Sequence, residues 1–187
     1  LPKRSSEFIE STKKGEKDSY LTLLGEALNC TGTATLSSKA AIAGMGGIGK
    51  TSLALEYAHR AKENKAYNLI YWLKSETEAS LLEGYRELLR EMGIYADVKE
   101  DMVKIAKQHL MNKDKCLLIY DNVPSPDFLK GKTPENAHIL ITSRAHHGWE
   151  NSPLKLDIFQ PNESFDYLCN ITGYEPTLET ENSVKQL

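Results

Sequence analysis

The stretch from Lys39 to Ala61 reads KAAIAGMGGIGKTSLALEYAHRA, and it decides what the rest of the chain is built around. It opens with a short apolar run and passes through four glycines within six residues. It closes with a segment in which apolar residues recur at helical spacing. The stretch therefore predicts a strand, a tight glycine-rich loop and a helix, in that order.

The loop matches the pattern G-x-x-x-x-G-K-[ST], the phosphate-binding P-loop. Its glycines let the backbone wrap closely around a phosphate, and the amides of the following helix add a positive dipole end. Lys50 would supply a cation for the β- and γ-phosphates, and the Thr51 hydroxyl would ligate Mg²⁺. The predicted phosphate-binding residues are Gly44, Met45, Gly46, Gly47, Ile48, Gly49, Lys50, Thr51 and Ser52.

Composition limits the class of protein. The chain has 187 residues, enough for one domain, with 40% hydrophobic and 26% charged residues, which is ordinary for a soluble globular domain. The net charge of −3 gives no overall nucleic-acid footprint, so no nucleic-acid partner is expected. We expect no membrane contact, because there is neither a long apolar run nor a signal peptide. The three scattered cysteines favour a reducing, cytoplasmic setting.

Strand-like and helix-like segments alternate along the chain. This alternation predicts an α/β fold with a parallel sheet and crossover helices, in which ligands bind at the carboxyl ends of the strands. Gly44, Asp121 and Arg144 all follow predicted strands and should meet at that edge. The predicted strands are 40–43, 67–73, 116–120, 138–142 and 154–159, and the predicted helices are 16–28, 49–62, 77–92, 97–111 and 164–170.

Asp121 ends an apolar run, which is the Walker B pattern of P-loop ATPases. A carboxylate there can hold Mg²⁺ opposite Thr51. The next residue is Asn122, where many such ATPases have a second acid that accepts a proton from the attacking water. An amide binds water but cannot accept its proton, so hydrolysis should be slow unless another group helps.

Three further positions are candidate contacts. Arg144 follows the strand 138–142, where a guanidinium would contact the γ-phosphate oxygens. Glu76 either lies near the nucleotide or is simply an acid at a helix start. Residues 1–15 form either a disordered arm or a segment whose Phe8 and Ile9 pack beside the nucleotide base. The candidate catalytic residues are Lys50, Asp121, Asn122 and Arg144.

Five segments together resemble a known family. GMGGIGKTSLALEYA, NLIYWLKSE, CLLIYDNV, HILITSR and LKLDIFQPNESFDYL occur in the order and spacing of STAND-class ATPases of NB-ARC type. The chain is most similar to bacterial members that carry tetratricopeptide repeats downstream. The resemblance covers Leu36 to about Gly173. It implies a P-loop NTPase three-layer sandwich whose five parallel strands lie in the order 2-3-4-1-5.

The resemblance also implies roles for individual residues. Gly46, Gly47, Gly49, Lys50 and Thr51 would bind phosphates and Mg²⁺, Asp121 would be the Walker B acid, and Arg144 would be the sensor arginine. One departure is that Phe8-Ile9 is followed by Glu10-Ser11, so the adenine-contacting arginine of the family is not evident. We expect an arm and helix at 1–38, the NTPase domain at 39–173, and the start of a truncated helical region at 174–187.

The expected function is that of a regulatory switch domain that binds ATP or ADP and hydrolyses ATP slowly with Mg²⁺. Exchange of ADP for ATP would control conformation and self-association of a longer protein, with an unknown trigger acting through C-terminal repeats. Two alternatives stay open from the residues alone. One is a P-loop phosphotransferase, and the other is an interaction module that does not depend on nucleotide.

Overall fold

A five-stranded parallel sheet lies at the centre of this computed structural model, which describes residues 1–5, 8–12, 18–29, 39–95 and 99–175. The order across the sheet is β2-β3-β4-β1-β5, and this confirms the predicted topology. The strands are β1 (Lys39–Ala43), β2 (Leu69–Lys74), β3 (Cys116–Val123), β4 (His138–Ser143) and β5 (Leu154–Lys155).

Helices connect β1 to β2 and β2 to β3, whereas β3 joins β4 through a short 3₁₀ helix and β5 follows β4 without a helix between them. Within the described residues none of the helices is long and apolar enough to cross a membrane. The helices are α1 (Tyr20–Asn29), α2 (Lys50–Glu63), α3 (Glu78–Glu91), α4 (Lys99–Met111) and α5 (Pro161–Thr172), with a short 3₁₀ helix at Pro126–Leu129.

The side chains of the central strands alternate between two apolar cores. Leu117 and Ile119 of β3 face the core formed with α1 and α2, whereas Leu118 and Tyr120 face the core formed with α3 and α4. A strand covered by helices on both faces must be apolar on both faces, which explains the unbroken apolar runs. Full burial of one such side chain contributes about 1.5–3 kcal/mol. The chain therefore forms the predicted three-layer sandwich.

Several predicted boundaries shift because of local capping. The helix predicted at 16–28 begins at Tyr20, and residues 16 and 17 lie outside the described part of the chain. The helix predicted at 97–111 is described from Lys99, since 97 and 98 also lie outside it. Helix α5 begins at Pro161 rather than at 164, because Glu163 closes a capping box with the N-cap residue Gln160.

The fifth strand is much shorter than predicted. The alternating residues 154–159 predict a full strand, but the strand ends at Lys155. The Asp157 amide donates to the Tyr20 hydroxyl at 3.0 Å, and that hydroxyl donates to Asp157 Oδ2 at 3.3 Å. Tyr20 is almost fully buried, so it draws the chain away from the sheet edge. The prediction of a strand up to 159 is therefore wrong.

The N-terminal arm packs on α2 through the buried carboxylate of Glu56. Arg4 donates to both Glu56 oxygens, at 2.6 and 2.8 Å, and Arg60 donates to Oε1 at 2.8 Å. Arg60 also pairs with Glu10 of the arm at 2.9 Å. The hydrogen bond from Arg4 lowers the pKa of the Glu56 carboxyl, and the bond from Arg60 lowers it further. Glu56 therefore ties the arm to the helix that follows the glycine loop.

Replacing this carboxylate tests the tie. We expect Glu56→Gln to lower the free energy of unfolding by about 1–2 kcal/mol in urea denaturation at neutral pH, because the charge-assisted bonds from Arg4 and Arg60 are weakened. A depressed folded-state pKa stabilises the fold above the unfolded value of about 4.5 and loses that effect as pH falls below it. The variant should therefore lose less stability than the wild type on acidification.

The control is Glu63→Gln, which removes another partner of Arg4 from the same helix. Glu63 is 59% exposed, so its loss should change stability by less than about 0.5 kcal/mol. Equal effects of the two substitutions would contradict the special role of Glu56.

Candidate nucleotide-binding site

The glycine loop connects the end of β1 to the start of α2. Gly47 and Gly49 have φ angles of 79° and 97°, in the left-handed region that favours glycine. Gly49 is also the N-cap of α2, and it has no side chain to bond the first-turn amides of the helix. Those amides are therefore available to an anion at the positive end of the helix dipole.

Lys50 lies within the loop and is only 6% exposed. Its ammonium donates to the carbonyls of Gly44 and Met45, at 2.8 and 2.6 Å. Burial lowers the pKa of the Lys50 ammonium, the positive charge of Arg144 lowers it further, and Asp121 opposes both effects. The charges of Lys50, Arg144 and Asp121 therefore lie close enough to influence one another beside the loop.

Asp121 joins the P-loop helix to the end of β4. Its Oδ1 accepts a hydrogen bond from the Thr51 hydroxyl at 2.9 Å and another from the Thr142 hydroxyl at 2.6 Å. The Thr142 hydroxyl in turn accepts a hydrogen bond from the backbone amide of Asn122 at 2.9 Å. Asp121 is 8% exposed. The structure therefore brings together Thr51 and Asp121, the two residues predicted as metal ligands.

Asn122 lies in an irregular part of β3. The strand register shifts between Tyr120 and Val123, and Asn122 has a φ of 62°, which asparagine tolerates better than most residues. Its Nδ2 donates to Glu76 Oε1 at 2.9 Å. Glu76 precedes the N-cap of α3, Thr77, so the acid in the first turn of that helix is Glu78 instead. Glu76 thus lies directly before α3 and contacts Asn122, and its place near a nucleotide stays a prediction.

Arg144 follows β4 and approaches the glycine loop. A Cβ atom placed on Gly46 would lie 3.4 Å from Arg144 Nη2, so the guanidinium lies close beside Gly46. The side chain is otherwise exposed. Arg144 is thus positioned beside the P-loop, as its place after the strand predicts.

A cavity of about 330 Å³ adjoins the loop on the side of the N-terminal arm. Phe8 and Ile9 line it together with Gly47, and Phe159 and Tyr167 also line it. The rings of Phe159 and Tyr167 lie 5.6 Å apart. A larger cavity of about 590 Å³ between α3 and α4 is lined by none of the P-loop residues. The smaller cavity is the one that continues from the phosphate loop.

Glu163 joins the N-terminal arm to the start of α5, and both of these elements contribute residues to the lining of this smaller cavity. It is 9% exposed, and its Oε1 accepts a bond from the Thr12 amide at 3.1 Å while Oε2 accepts one from the Gln160 amide at 2.7 Å. Sequence reasoning missed this residue and Thr142. Each had a signal: Glu163 occupies the third position of a helix after Gln160, and Thr142 is a polar residue in an apolar strand.

The NB-ARC domain family matches residues 33–177 of the sequence, which is most of the chain. The chain belongs to the NB-ARC family. The match confirms the resemblance read from the P-loop and the four later segments. An NB-ARC domain is a nucleotide-binding ATPase domain, and the geometry above agrees with one. The association with tetratricopeptide repeats in bacterial proteins stays a prediction.

Two further comparisons give a partial sequence relative and a solved structure of similar fold. A nucleotide-binding leucine-rich repeat (NLR)-like protein from Hyaloscypha variabilis is 32% identical over 103 residues, which are 52% of this chain and 10% of that protein. The NB-ARC chain thus spans about a tenth of that relative's length. The crystal structure of Cdc6p from Pyrobaculum aerophilum has a TM-score of 0.54 at 13% identity and covers 80% of this chain and 46% of that chain. This second likeness shows the fold alone.

The donor set at the loop of this NB-ARC domain fits a hard divalent cation. The Thr51 hydroxyl and the Asp121 carboxylate are oxygen ligands already within 2.9 Å of one another. Mg²⁺ prefers one or two such protein oxygens together with substrate phosphates. Among the described residues no group of three or more His, Cys, Asp or Glu side chains forms a metal cage, so a cation here would depend on the phosphates.

Removing the Thr142 hydroxyl tests the network around Asp121. We expect Thr142→Val to lower the free energy of unfolding by about 1–2 kcal/mol. Without the hydroxyl, the backbone amide of Asn122 loses its acceptor and the Asp121 carboxylate loses a donor. Chemical denaturation measures this. The control is Thr172→Val, whose hydroxyl also bonds backbone groups but is exposed, and which should cost less than about 0.5 kcal/mol. Similar losses in both variants would contradict the network.

Proposed function

We propose that this domain is an ATP- and ADP-binding regulatory switch that hydrolyses ATP slowly. The observation that carries the proposal is the hydrogen bond from Thr51 to Asp121, which joins the P-loop helix to the neighbouring strand end at 2.9 Å. A γ-phosphate or a metal that binds at this junction would act on both elements at once. Loss of the γ-phosphate on hydrolysis would then change the contact between the P-loop helix and this strand.

The phosphate end of the nucleotide would bind the loop from Gly44 to Ser52. Lys50 would exchange its bonds to loop carbonyls for bonds to phosphate oxygens, which carry more negative charge. Thr51 and Asp121 would hold Mg²⁺, which when bound supplies positive charge that neutralises the phosphates. Arg144 would contact the γ-phosphate and so distinguish ATP from ADP.

The base would occupy the cavity between the arm and α5. Phe8 and Ile9 supply one apolar wall, and Phe159 and Tyr167 supply another, which suits the flat face of an adenine ring. Because the arm and α5 are joined through Glu163, a base between them would bridge two separate elements. Nucleotide binding would thereby affect both the N-terminal arm and α5.

Slow turnover follows from the residue after Asp121. Asn122 can bind a water molecule but cannot accept its proton, so it does not replace the second acid of faster ATPases. A slow hydrolysis step suits a domain whose bound nucleotide holds a state. In a longer protein, exchange of ADP for ATP would alter conformation and permit self-association, and a protein or ligand trigger acting on C-terminal repeats would start the exchange.

Substitution of Lys50 tests nucleotide binding. We expect Lys50→Ala to weaken both ATP and ADP by at least about tenfold, measured with a fluorescent nucleotide, because the buried cation contacts phosphates common to both. Lys62→Ala on the exposed face of the same helix should bind as the wild type does. A wild-type chain that binds neither nucleotide would favour the alternative of a nucleotide-independent interaction module. Transfer of phosphate to a small acceptor would favour a phosphotransferase.

Substitution of Arg144 tests discrimination of the γ-phosphate. We expect Arg144→Ala to weaken ATP about tenfold, or about 1.4 kcal/mol, while ADP changes by less than about twofold. Competition titrations with the two nucleotides measure the ratio. Arg90→Ala, at an exposed position near the end of α3, serves as the control. Equal weakening of ATP and ADP would contradict the assignment of Arg144 to the γ-phosphate.

A further inference from the structure

The chain after β2 is fixed beside the Walker B strand. Lys74 is the register partner of Asp121, and the Ser75 amide donates to the Asp121 carbonyl at 2.8 Å, one residue beyond the strand. Ser75 is fully buried, and its hydroxyl donates to the Leu73 carbonyl at 3.0 Å. Glu76 therefore leaves the sheet at a defined point, next to the end of β3.

Asn122 is held from the other side. Its backbone amide is bound to Thr142, and its positive φ turns the residue out of the regular strand. The side-chain amide then donates to Glu76 Oε1 at 2.9 Å. Both side chains are exposed, so water reaches them. The position after Asp121 lacks a carboxylate of its own, but the fold places one from the segment after β2 within hydrogen-bond distance of it.

We propose that Glu76 is the general base of ATP hydrolysis and that Asn122 is its positioning residue. The inference rests on the proposed function. A Glu76 carboxylate oxygen accepts a proton from water while the water oxygen forms a bond to the γ-phosphorus. The bond from the γ-phosphorus to the bridging oxygen breaks, and its electron pair leaves on ADP. The products are ADP and inorganic phosphate, and Glu76 then returns its proton to solvent.

Other carboxylates near the loop have different partners. Asp121 Oδ1 is shared by two threonine hydroxyls, and Asp121 is the proposed metal ligand. Glu78, the first residue of α3, pairs with Lys132 at 3.0 Å. Glu76 is thus the carboxylate that contacts the residue at the position of the second acid.

The experiment compares ATP turnover and ATP binding in the 187-residue chain and its variants. We expect Glu76→Gln to reduce turnover about 100-fold, which is within the usual range for loss of a general base. ATP affinity and the melting temperature should stay within error. The glutamine oxygen can still accept the hydrogen bond from Asn122, so a merely structural role would survive this change. The matched control, Glu78→Gln, should turn over ATP as the wild type does.

A second variant moves the carboxylate to the other partner. Asparagine and aspartate both tolerate a positive φ, so Glu76→Gln combined with Asn122→Asp should fold. We expect this double variant to recover at least about tenfold of the lost turnover, because it restores a proton acceptor at the same place. Recovery would separate proton transfer from any effect of the first substitution on packing.

The outcomes separate this inference from the proposed function. Wild-type turnover with an unaffected Glu76→Gln variant would overturn the role of Glu76 and leave the switch standing. ATP binding without any wild-type turnover would overturn the inference and leave nucleotide binding intact. A wild-type chain that binds no nucleotide would overturn both. Selective loss of turnover in Glu76→Gln, with recovery in the double variant, supports the inference.

Discussion

The site depends on one buried carboxylate oxygen that accepts two hydrogen bonds. Asp121 Oδ1 receives the hydroxyls of Thr51 and Thr142, which come from the P-loop helix and from β4. Three elements that are distant in sequence are thereby joined at the carboxyl edge of the sheet. A buried carboxylate is costly unless its hydrogen bonds are made, so the two threonine hydroxyls offset the cost of burying Asp121. A change in the position of Asp121 would therefore affect α2, β3 and β4 together.

The second organising contact joins the N-terminal arm to two helices. Glu56 on α2 and Glu163 on α5 both bind the N-terminal arm, through Arg4 and through the Thr12 amide respectively. The arm therefore bridges the helix that follows the P-loop and the helix that follows β5. In the proposed function, phosphate contacts and base contacts would be connected, because α2 begins at the P-loop and also lines the cavity beside it. This arrangement suits a domain whose conformation follows the bound nucleotide.

The sequence was sufficient for the sheet, its helices and the meeting of Thr51 with Asp121, because apolar runs and one dense motif specify them. It was insufficient wherever a tertiary contact overrides a local pattern. The alternation at 154–159 indicates a strand, yet the Tyr20 hydroxyl captures the Asp157 amide and ends it. Likewise, no local pattern places Glu76 beside Asn122, because their approach depends on strand pairing and on a shift in register.

The shortness of β5 has a consequence for the behaviour of the chain at high concentration. A strand at the border of a sheet exposes unpaired backbone groups that can template pairing with a second molecule. With only two residues in β5, that border offers few such groups. The amide of Asp157 is already satisfied by Tyr20. On this side, the same contact that shortens the strand protects the protein from edge-to-edge aggregation.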